Sequence, residues 1–333
     1  MIEIDGSAGG GQVVRTAATL SALSGEAVRI TDVRGGRPNS GMGHQHVAAV
    51  TAAAALCDAR LEGDEHGAET LVFEPGELRP TDVSVDVGTA GSVVLVLDTV
   101  VPLATALDGP VTVTVQGGTD VEWAPPLDYL RYVKLPHLYE AGLEATVSVE
   151  RRGFYPVGGG RVTLSLSPSE LAAVDRLERG ALRRLEVHSR AEASLEDAEV
   201  AERQASAAAD GVEVDVPVAT DAGYVEADSP GSVVVLVAIY EGSRAGFSAL
   251  GERGKPSETV AEEAVADFQR FHDGPGAVDR HLADQLLVFL ALAGGRVLAP
   301  ERTDHVRTTL AVLEAFGNEL ALEDRDDGVL VAG

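Results

Sequence analysis

The C-terminal part of the chain places a histidine where its chemistry could be used. Residues 277–316 read AVDRHLADQLLVFLALAGGRVLAPERTDHVRTTLAVLEAF. The pattern predicts an apolar helix with a polar edge of His281, Asp284 and Gln285. A strand, a loop and a second amphipathic helix follow, and His305 stands at the start of that second helix. A neutral imidazole nitrogen can attack phosphorus without first losing a proton, so His305 is a candidate nucleophile. A histidine at a helix start is, however, more often a cap or a solvated residue.

A second feature is a region in which acidic residues are missing. The chain has 53 Asp and Glu residues, but residues 6–57 contain only two of them. In this region a loop punctuated by Gly and Pro carries Arg34, Arg37, His44 and His46. Burial in helices explains part of the gap, but it does not explain the loop. Local positive potential in an acidic protein indicates a site for an anionic ligand.

The glycine run before the first predicted helix supports this interpretation. Residues 9–12 read GGGQ, and glycines allow close backbone approach while the helix start offers free N–H groups to an anion. Gln12 and Arg15 follow directly, and a bound anion would offset the repulsion between Arg15 and the helix dipole. The alternative is a tight turn with a solvated arginine. Residues 152–160, RGFYPVGGG, are similarly either a hairpin turn with an aromatic plug or a phosphate contact.

The charge composition limits the kinds of partner and environment. The net charge is −27, which argues against a generally basic nucleic-acid binder. Of the 26 cationic residues only Lys134 and Lys255 are lysines. A surface rich in carboxylates and poor in lysine is typical of proteins that stay soluble in molar salt, although a genome of high GC content also favours arginine. We interpret the composition as salt adaptation.

The remaining composition predicts a cytoplasmic protein. The single cysteine, Cys57, excludes an internal disulfide and a cysteine-based zinc site, and its apolar surroundings predict a buried thiol in a helix. The sequence starts with an amphipathic strand, MIEID, rather than with a signal peptide. The longest apolar run, LLVFLALA, is too short to cross a membrane.

The order of predicted elements repeats three times. Each unit approximates βαβαββ, so the fold class is α/β (α+β), with two apolar helices per repeat covering a sheet. Residues 184–274 do not fit the repeat and predict a small inserted α/β domain near the start of the third unit. Within it we predict two helices and three strands, one of them VEVDVPV at residues 212–218. The large catalytic domain would then comprise residues 1–183 and 275–333.

The motifs together resemble one known family. IDGSAGGGQVVRTA, RPNSGMGHQHVAAV, GTAGS, GGTD followed by APPLDY, RGFYPVGGG, HLADQL and DHVRTTLAV occur in the order found in the RNA 3′-terminal phosphate cyclase family. The resemblance covers the whole chain, the insert included. It implies ATP-dependent conversion of an RNA 3′-phosphate end to a 2′,3′-cyclic phosphate, with a covalent histidine–AMP intermediate and a divalent metal ion, Mg or Mn. It also implies a ligase-class enzyme of RNA processing whose partners are RNA and ATP.

The resemblance assigns roles to particular residues. His305 matches the nucleophile. The residues that match ATP contacts are His281, Leu282, Ala283, Asp284, Gln285 and Asp98. The residues that match phosphate or RNA-end contacts are Gln12, Arg15, Arg34, Arg37 and His46. The metal ligands are left unknown, and the sequence leaves the oligomeric state open, a homodimer included.

Four positions depart from the usual family pattern. Ala8 stands where many members have a metal-binding Glu, and Asp98 stands where a Gln that contacts ATP is usual. Thr309 replaces an Asn after the nucleophile, and His281 replaces a Tyr. Ala8 and Asp98 favour an alternative hypothesis, a catalytically idle cyclase-like RNA-binding or ribosome-assembly factor, whereas His305 and the ADQ segment favour the enzyme. An enolpyruvyl-type transferase, which shares the repeat, would need six repeats and a longer chain.

Salt adaptation gives a first prediction. Screening reduces the self-repulsion of a protein with a charge of −27, so the Tm should rise as KCl is increased from low salt to the molar range. Thermal unfolding followed by circular dichroism across KCl concentrations measures this. A Tm that stays flat or falls over the series would reject the salt-adapted interpretation.

Overall fold

The first βαβαββ unit is complete in the computed structural model, which describes residues 1–333. Its elements are β1 (Ile2–Asp5), α1 (Gly11–Ser24), β2 (Val28–Thr31), α2 (His44–Cys57), β3 (Arg60–Glu62) and β4 (Leu71–Glu74). The sheet order is β1-β2-β4-β3, in which only the β1–β2 pair is parallel. Helix α1 ends at Gly25, whose positive φ of 73° lets its N–H reach the carbonyl of Ser21.

The second unit repeats this topology with a longer second helical segment. Its elements are β5 (Val83–Asp86), α3 (Val93–Val100), a 3₁₀ turn (Val101–Thr105), β6 (Val111–Gly117), α4 (Leu127–Tyr129), a π-helical turn (Leu130–Lys134), α5 (Leu135–Glu140), β7 (Ala145–Arg151) and β8 (Gly160–Leu166). The sheet order is β5-β6-β8-β7. The sequence of α3, VVLVLDTV, is apolar on nearly all sides, as expected of a helix in which every residue except Asp98 is buried.

Strand β9 (Val174–Arg176) precedes a separate four-stranded sheet. The elements of that sheet unit are β10 (Leu182–Glu192), a 3₁₀ turn (Ala193–Ala198), α6 (Val200–Gly211), β11 (Val218–Val225), β12 (Ser232–Tyr240), β13 (Arg244–Gly251) and α7 (Ser257–Asp273). The order is β11-β10-β12-β13, and α6 and α7 supply much of a 17-residue hydrophobic core that belongs to this unit alone.

Two details of this unit differ from the sequence prediction. The strand predicted at residues 212–218 is wrong: β11 starts at Val218, because Pro217 has no N–H to donate and pairing with β10 begins only after it. Strand β13 was not predicted, since its sequence, RAGFSALG, contains two glycines and lacks a clear alternation. It pairs with β12, which is buried along almost its whole length.

The third unit completes the repeat after the insert. Its later elements are α8 (Arg280–Gln285), α9 (Leu287–Ala293), β14 (Gly295–Ala299), α10 (Asp304–Ala315), β15 (Ala321–Arg325) and β16 (Gly328–Ala332). The order β9-β14-β16-β15 matches the other two units only if β9 is the first strand. The β10–β13 sheet unit therefore lies between the first strand and the first helix of the third repeat, a placement that the three-residue strand β9 was too short to reveal.

The three units share one core. A cluster of 64 buried hydrophobic residues draws on all three repeats and is largely built from their helices, while Cys57 is buried in α2 as predicted. The predicted α/β (α+β) fold class of three βαβαββ units is confirmed. We propose that the β10–β13 sheet unit is the inserted domain. No helix of the structure is both long and apolar enough to cross a membrane.

A buried ion-pair network ties the second repeat together behind the cavity described below. Arg152 donates to Asp120 at 3.0 Å and also to Asp128, and all three side chains are at most 4% exposed. Asp120 also accepts a hydrogen bond from the hydroxyl of Thr119. The network joins the end of β6 and α4 to the β7–β8 hairpin.

Removal of this arginine should be far more costly than removal of an exposed one. Arg152→Ala leaves the buried Asp120 without its cation and leaves Asp128 with only the partly exposed Arg131, so we expect it to lower the free energy of unfolding by about 3–5 kcal/mol. Arg161→Ala is the matched control, because Arg161 pairs with Glu150 at the exposed end of the same hairpin and should cost less than about 1 kcal/mol. Denaturant unfolding at one fixed KCl concentration measures both. Equal losses would show that the network is not what stabilises this region.

Candidate active site

One cavity of about 960 Å³ collects most of the residues that the sequence singled out. Its wall includes the start of α1, the loop before α2, part of α3, helix α8 and the start of α10, with a further side formed by the insert. The predicted site residues that line it are Gln12, Arg15, Arg34, Arg37, His46, Asp98, His281, Asp284, Gln285 and His305.

Two predicted residues lie elsewhere. Leu282 and Ala283 have side chains that are at most 1% exposed and that pack into the core beneath α8. In a helix, neighbouring side chains point in different directions, so the segment HLADQ cannot present all five of them to one ligand. We propose a site to which these two residues contribute no side-chain contact.

The candidate nucleophile is oriented by a carboxylate. Helix α10 begins after Thr303, whose side chain caps the helix by accepting from the N–H of Val306 at 3.1 Å. His305 follows in the first turn, and its Nδ1 lies 3.2 Å from an oxygen of Asp284 on α8. A carboxylate that accepts from Nδ1–H fixes the neutral tautomer whose Nε2 carries a free lone pair. The His305 side chain is 53% exposed and Asp284 only 15%, so the ring is accessible and its support is not.

Asp279, which the sequence interpretation missed, holds α8 in place. One of its oxygens accepts from the N–H groups of His281 and Leu282, each at 2.9 Å, and from the Tyr129 hydroxyl at 2.8 Å. Its other oxygen accepts from the N–H of Gly246 in β13 at 3.0 Å. Complete burial raises the pKa of the Asp279 carboxyl. One side chain therefore joins α8, the second repeat and the insert. The sequence did carry a signal for this residue, because an Asp just before HLADQ is a typical helix N-cap.

The start of α1 presents backbone N–H groups without a protein acceptor. The N-cap position is Gly10, which has no side chain to cap the helix, and the N–H groups of Gly10, Gly11 and Gln12 donate to no acceptor in the protein. The Gln12 side chain instead donates to the Thr308 hydroxyl of α10 at 2.6 Å. The first and third repeats thus meet where free N–H groups and the positive end of a helix dipole face the cavity.

Four of the arginines that line the cavity have no carboxylate partner, whereas Arg270 pairs with Asp267 at 2.6 Å. Most arginines of this chain form ion pairs, but those that line the cavity at Arg15, Arg34, Arg37 and Arg280 have no carboxylate within 4.0 Å. Burial and the neighbouring charge of Arg37 lower the pKa of Arg34, which also adopts a left-handed φ of 55°. A strained backbone and two neighbouring positive charges are each unfavourable on their own. Such arrangements are typical of functional sites, where a bound anion relieves the repulsion.

His46 is neutral and fills the space beside the glycine turn. Burial, followed by the positive charges of Arg15 and Arg34, lowers the pKa of His46 to about 3. Its Nδ1 accepts from the N–H of Gly43 at 2.9 Å, which leaves the hydrogen on Nε2. That nitrogen faces Gly11, where a Cβ would stand only 1.9 Å from it. Glycine is thus required at this position by the close approach of the imidazole ring.

Asp98 lies in the cavity wall, but it is not a free negative charge. Its oxygen accepts from Lys134 at 2.8 Å, and the two side chains are only 12% and 3% exposed. The sequence analysis did not predict Lys134 as a site residue, although its being one of only two lysines in a chain that otherwise uses arginine was a signal. An unpaired carboxylate at this position would repel phosphate groups, and the positive charge of Lys134 offsets that repulsion.

The chain by itself does not form a metal site. Across residues 1–333 no three His, Cys, Asp or Glu side chains are grouped as metal ligands. Ala8 supplies no carboxylate at the turn. Five carboxylates line the cavity, and four of them have partners: Asp98 pairs with Lys134, Asp267 with Arg270, Asp279 accepts from Tyr129 and backbone N–H groups, and Asp284 lies against His305, while Glu301 is the fifth. A magnesium ion held mainly by phosphate oxygens and water is chemically compatible with this wall.

Comparison with known proteins decides the family. A family model described as RNA 3′-terminal phosphate cyclase matches residues 7–319. A protein of that name from Halobacterium salinarum is 51% identical, with 98% of each chain covered. The chain belongs to the RNA 3′-terminal phosphate cyclase family. Proteins of the same name from Methanopyrus kandleri and Pyrococcus furiosus are 43% and 40% identical, with 95% of this chain and 93% of each relative covered. The predicted family and enzyme class are confirmed.

The depressed pKa of His46 gives a prediction about pH. The folded protein resists protonation of this ring down to a pH of about 3, whereas the unfolded chain takes up the proton near 6.5. Stability from His46 is therefore present above 6.5 and is lost as the pH falls. The stability advantage of the parent over His46→Gln should shrink as pH is lowered through this window. His44→Gln, which changes an exposed histidine of the same helix turn, is the control. A constant difference for His46→Gln would show that the ring is protonated in the folded state as well.

Proposed function

We propose that this protein converts an RNA 3′-terminal phosphate to a 2′,3′-cyclic phosphate at the expense of ATP, through a covalent AMP on His305. The observation that carries the proposal is the Asp284-oriented imidazole in a cavity where four arginines have no carboxylate partner. The names of the relatives support the reaction, and the geometry supports the intermediate.

The first step is attack on the α-phosphate of ATP. The lone pair of His305 Nε2 forms a bond to phosphorus, the bond to the bridging oxygen breaks, and pyrophosphate leaves. Asp284 accepts from Nδ1–H throughout and so stabilises the positive charge that develops on the ring. Free N–H groups at the start of α1 and the unpaired arginines offset the charge of the phosphates.

The next two steps use the RNA end. An oxygen of the RNA 3′-phosphate attacks the phosphorus of the histidine–AMP, the P–N bond breaks, and His305 is regenerated. The RNA then ends in an adenylated phosphate, an anhydride with AMP. The neighbouring 2′-oxygen attacks the RNA phosphorus, loses its proton and expels AMP, which is a good leaving group. The cyclic phosphate forms without any further reagent.

We assign the phosphates to the side of the cavity formed by Gln12, Arg15, Arg34 and Arg37. We assign the nucleoside of ATP to the side formed by α8 and Asp98, as the family resemblance implies. Asp98 can accept from a ribose hydroxyl or a purine amino group with its second oxygen while Lys134 holds the first. A divalent ion, implied by the family, would supply further charge neutralisation through the phosphates.

The idle hypothesis loses one of its two supports. It was based on Ala8 and Asp98 as decayed positions. The Asp98–Lys134 ion pair is instead a complete buried pair, which is expected of a retained structural feature. Only Ala8 still argues for lost chemistry.

We propose a cytoplasmic, salt-adapted enzyme on the basis of the charge composition.

Variants of the nucleophile and of its support test the proposal. His305→Ala should abolish covalent labelling by ATP that carries ³²P at the α-phosphate, and the label on the parent should be acid-labile and alkali-stable. Asp284→Asn should retain labelling at a rate reduced by about 10²-fold or more, because the amide no longer favours the reactive tautomer. His272→Ala, which changes a histidine outside the cavity, is the control. Undiminished labelling of His305→Ala would assign the AMP to another residue.

A further inference from the structure

The most exposed large hydrophobic side chain of the protein stands at the edge of the cavity. Trp123 is 92% exposed, and it lines the cavity together with Ala124 and Pro125. It is also the only tryptophan in a chain with 4% aromatic residues. An apolar surface of this size normally lies in a core or an interface, so its exposure beside an active site requires an explanation.

The loop that carries this tryptophan is anchored at both ends. Trp123 adopts a left-handed φ of 59°, which is unfavourable for a bulky residue. On one side the chain is anchored by the buried Asp120–Arg152 pair. On the other, the N–H of Leu127 donates to the Thr119 carbonyl at 3.1 Å. A ring presented on such an anchored loop loses little conformational entropy on binding a partner.

The electrostatics of the molecule favour a partner bound by stacking. A net charge of −27 repels a polyanion at long range, and salt weakens phosphate contacts by counterion release. Base–aromatic stacking is much less affected by either, because it involves the uncharged face of a base. The unpaired arginines deeper in the cavity can still engage the terminal phosphate.

We propose that Trp123 is a stacking platform for one unpaired base near the 3′ end of the RNA substrate. The proposal rests on the proposed function for the nature of the substrate, and it adds a residue that holds the strand at the mouth of the cavity. An adenine of ATP is the other possible source of a base. A platform open on 92% of its surface fits a base on a strand that enters from solvent better than a small ligand that must be enclosed.

The unmodified protein offers a direct test, since its tryptophan fluorescence comes from Trp123 alone. Titration with a short single-stranded RNA that ends in a 3′-phosphate, without ATP and at high KCl, should quench the emission. ATP alone should leave the emission nearly unchanged. Oligonucleotides with one abasic ribose at each of the last three positions should show which base is responsible, because that one quenches least.

Kinetics of three variants complete the test. Trp123→Ala should raise the KM for RNA about tenfold, the effect of losing one base–aromatic stack, while Trp123→Phe should restore most of the affinity. The loss should be confined to RNA-dependent steps and absent from His305 labelling by ATP. At the stacked position, the effects of the abasic substitution and of Trp123→Ala on the KM for RNA should not be additive, because both remove the same stacking contact. Tyr139→Ala, which removes a partly exposed aromatic residue outside the cavity, should leave the KM for RNA unchanged.

The outcomes separate this proposal from the function on which it rests. A parent that is not labelled by ATP refutes the proposed function, whatever the fluorescence shows. A parent that cyclises RNA without any change in tryptophan emission refutes the stacking platform alone. Quenching by ATP together with slower labelling of Trp123→Ala would assign the ring to the nucleotide and overturn the assignment to RNA.

Discussion

The structure depends on one electrostatic constraint, which is that several cations must stay close together without carboxylate partners in a strongly acidic protein. Arg34 and Arg37 lie near each other on a loop, and burial lowers the pKa of Arg34. His46 beside them is kept neutral, which avoids a further positive charge. This arrangement is unfavourable in an empty cavity and favourable around phosphates, so the free energy stored in it is available for binding.

The repeated fold explains how such a cavity can be built from ordinary parts. Helices of all three βαβαββ units share one core, and their ends converge on the cavity. The Gln12–Thr308 bond joins the first repeat to the third. Asp98 and Lys134 come from the second, while Asp279 links α8 to the insert. Each repeat thus supplies a different part of the cavity wall, and the Asp98 departure finds its partner, Lys134, within its own repeat.

The proposed recognition of RNA combines two kinds of interaction. Unpaired arginines and helix N–H groups suit a terminal phosphate, but their strength falls as salt rises. An exposed aromatic ring keeps its strength under the same conditions. The anchored position of Trp123, beside rather than inside the anion site, is consistent with a division in which charge fixes the phosphate and stacking fixes the strand.

The sequence by itself determined the fold class, the family and ten of the residues that line the cavity, because these depend on local periodicity and on motifs that are contiguous in the chain. It identified His305, but not that Asp284 orients its ring, since that contact joins two helices. It also missed β9, a three-residue strand recognisable only from its pairing with β14. The Asp98–Lys134 pair and the burial of Leu282 were likewise decided by tertiary structure, because they depend on which face of a helix meets which neighbour.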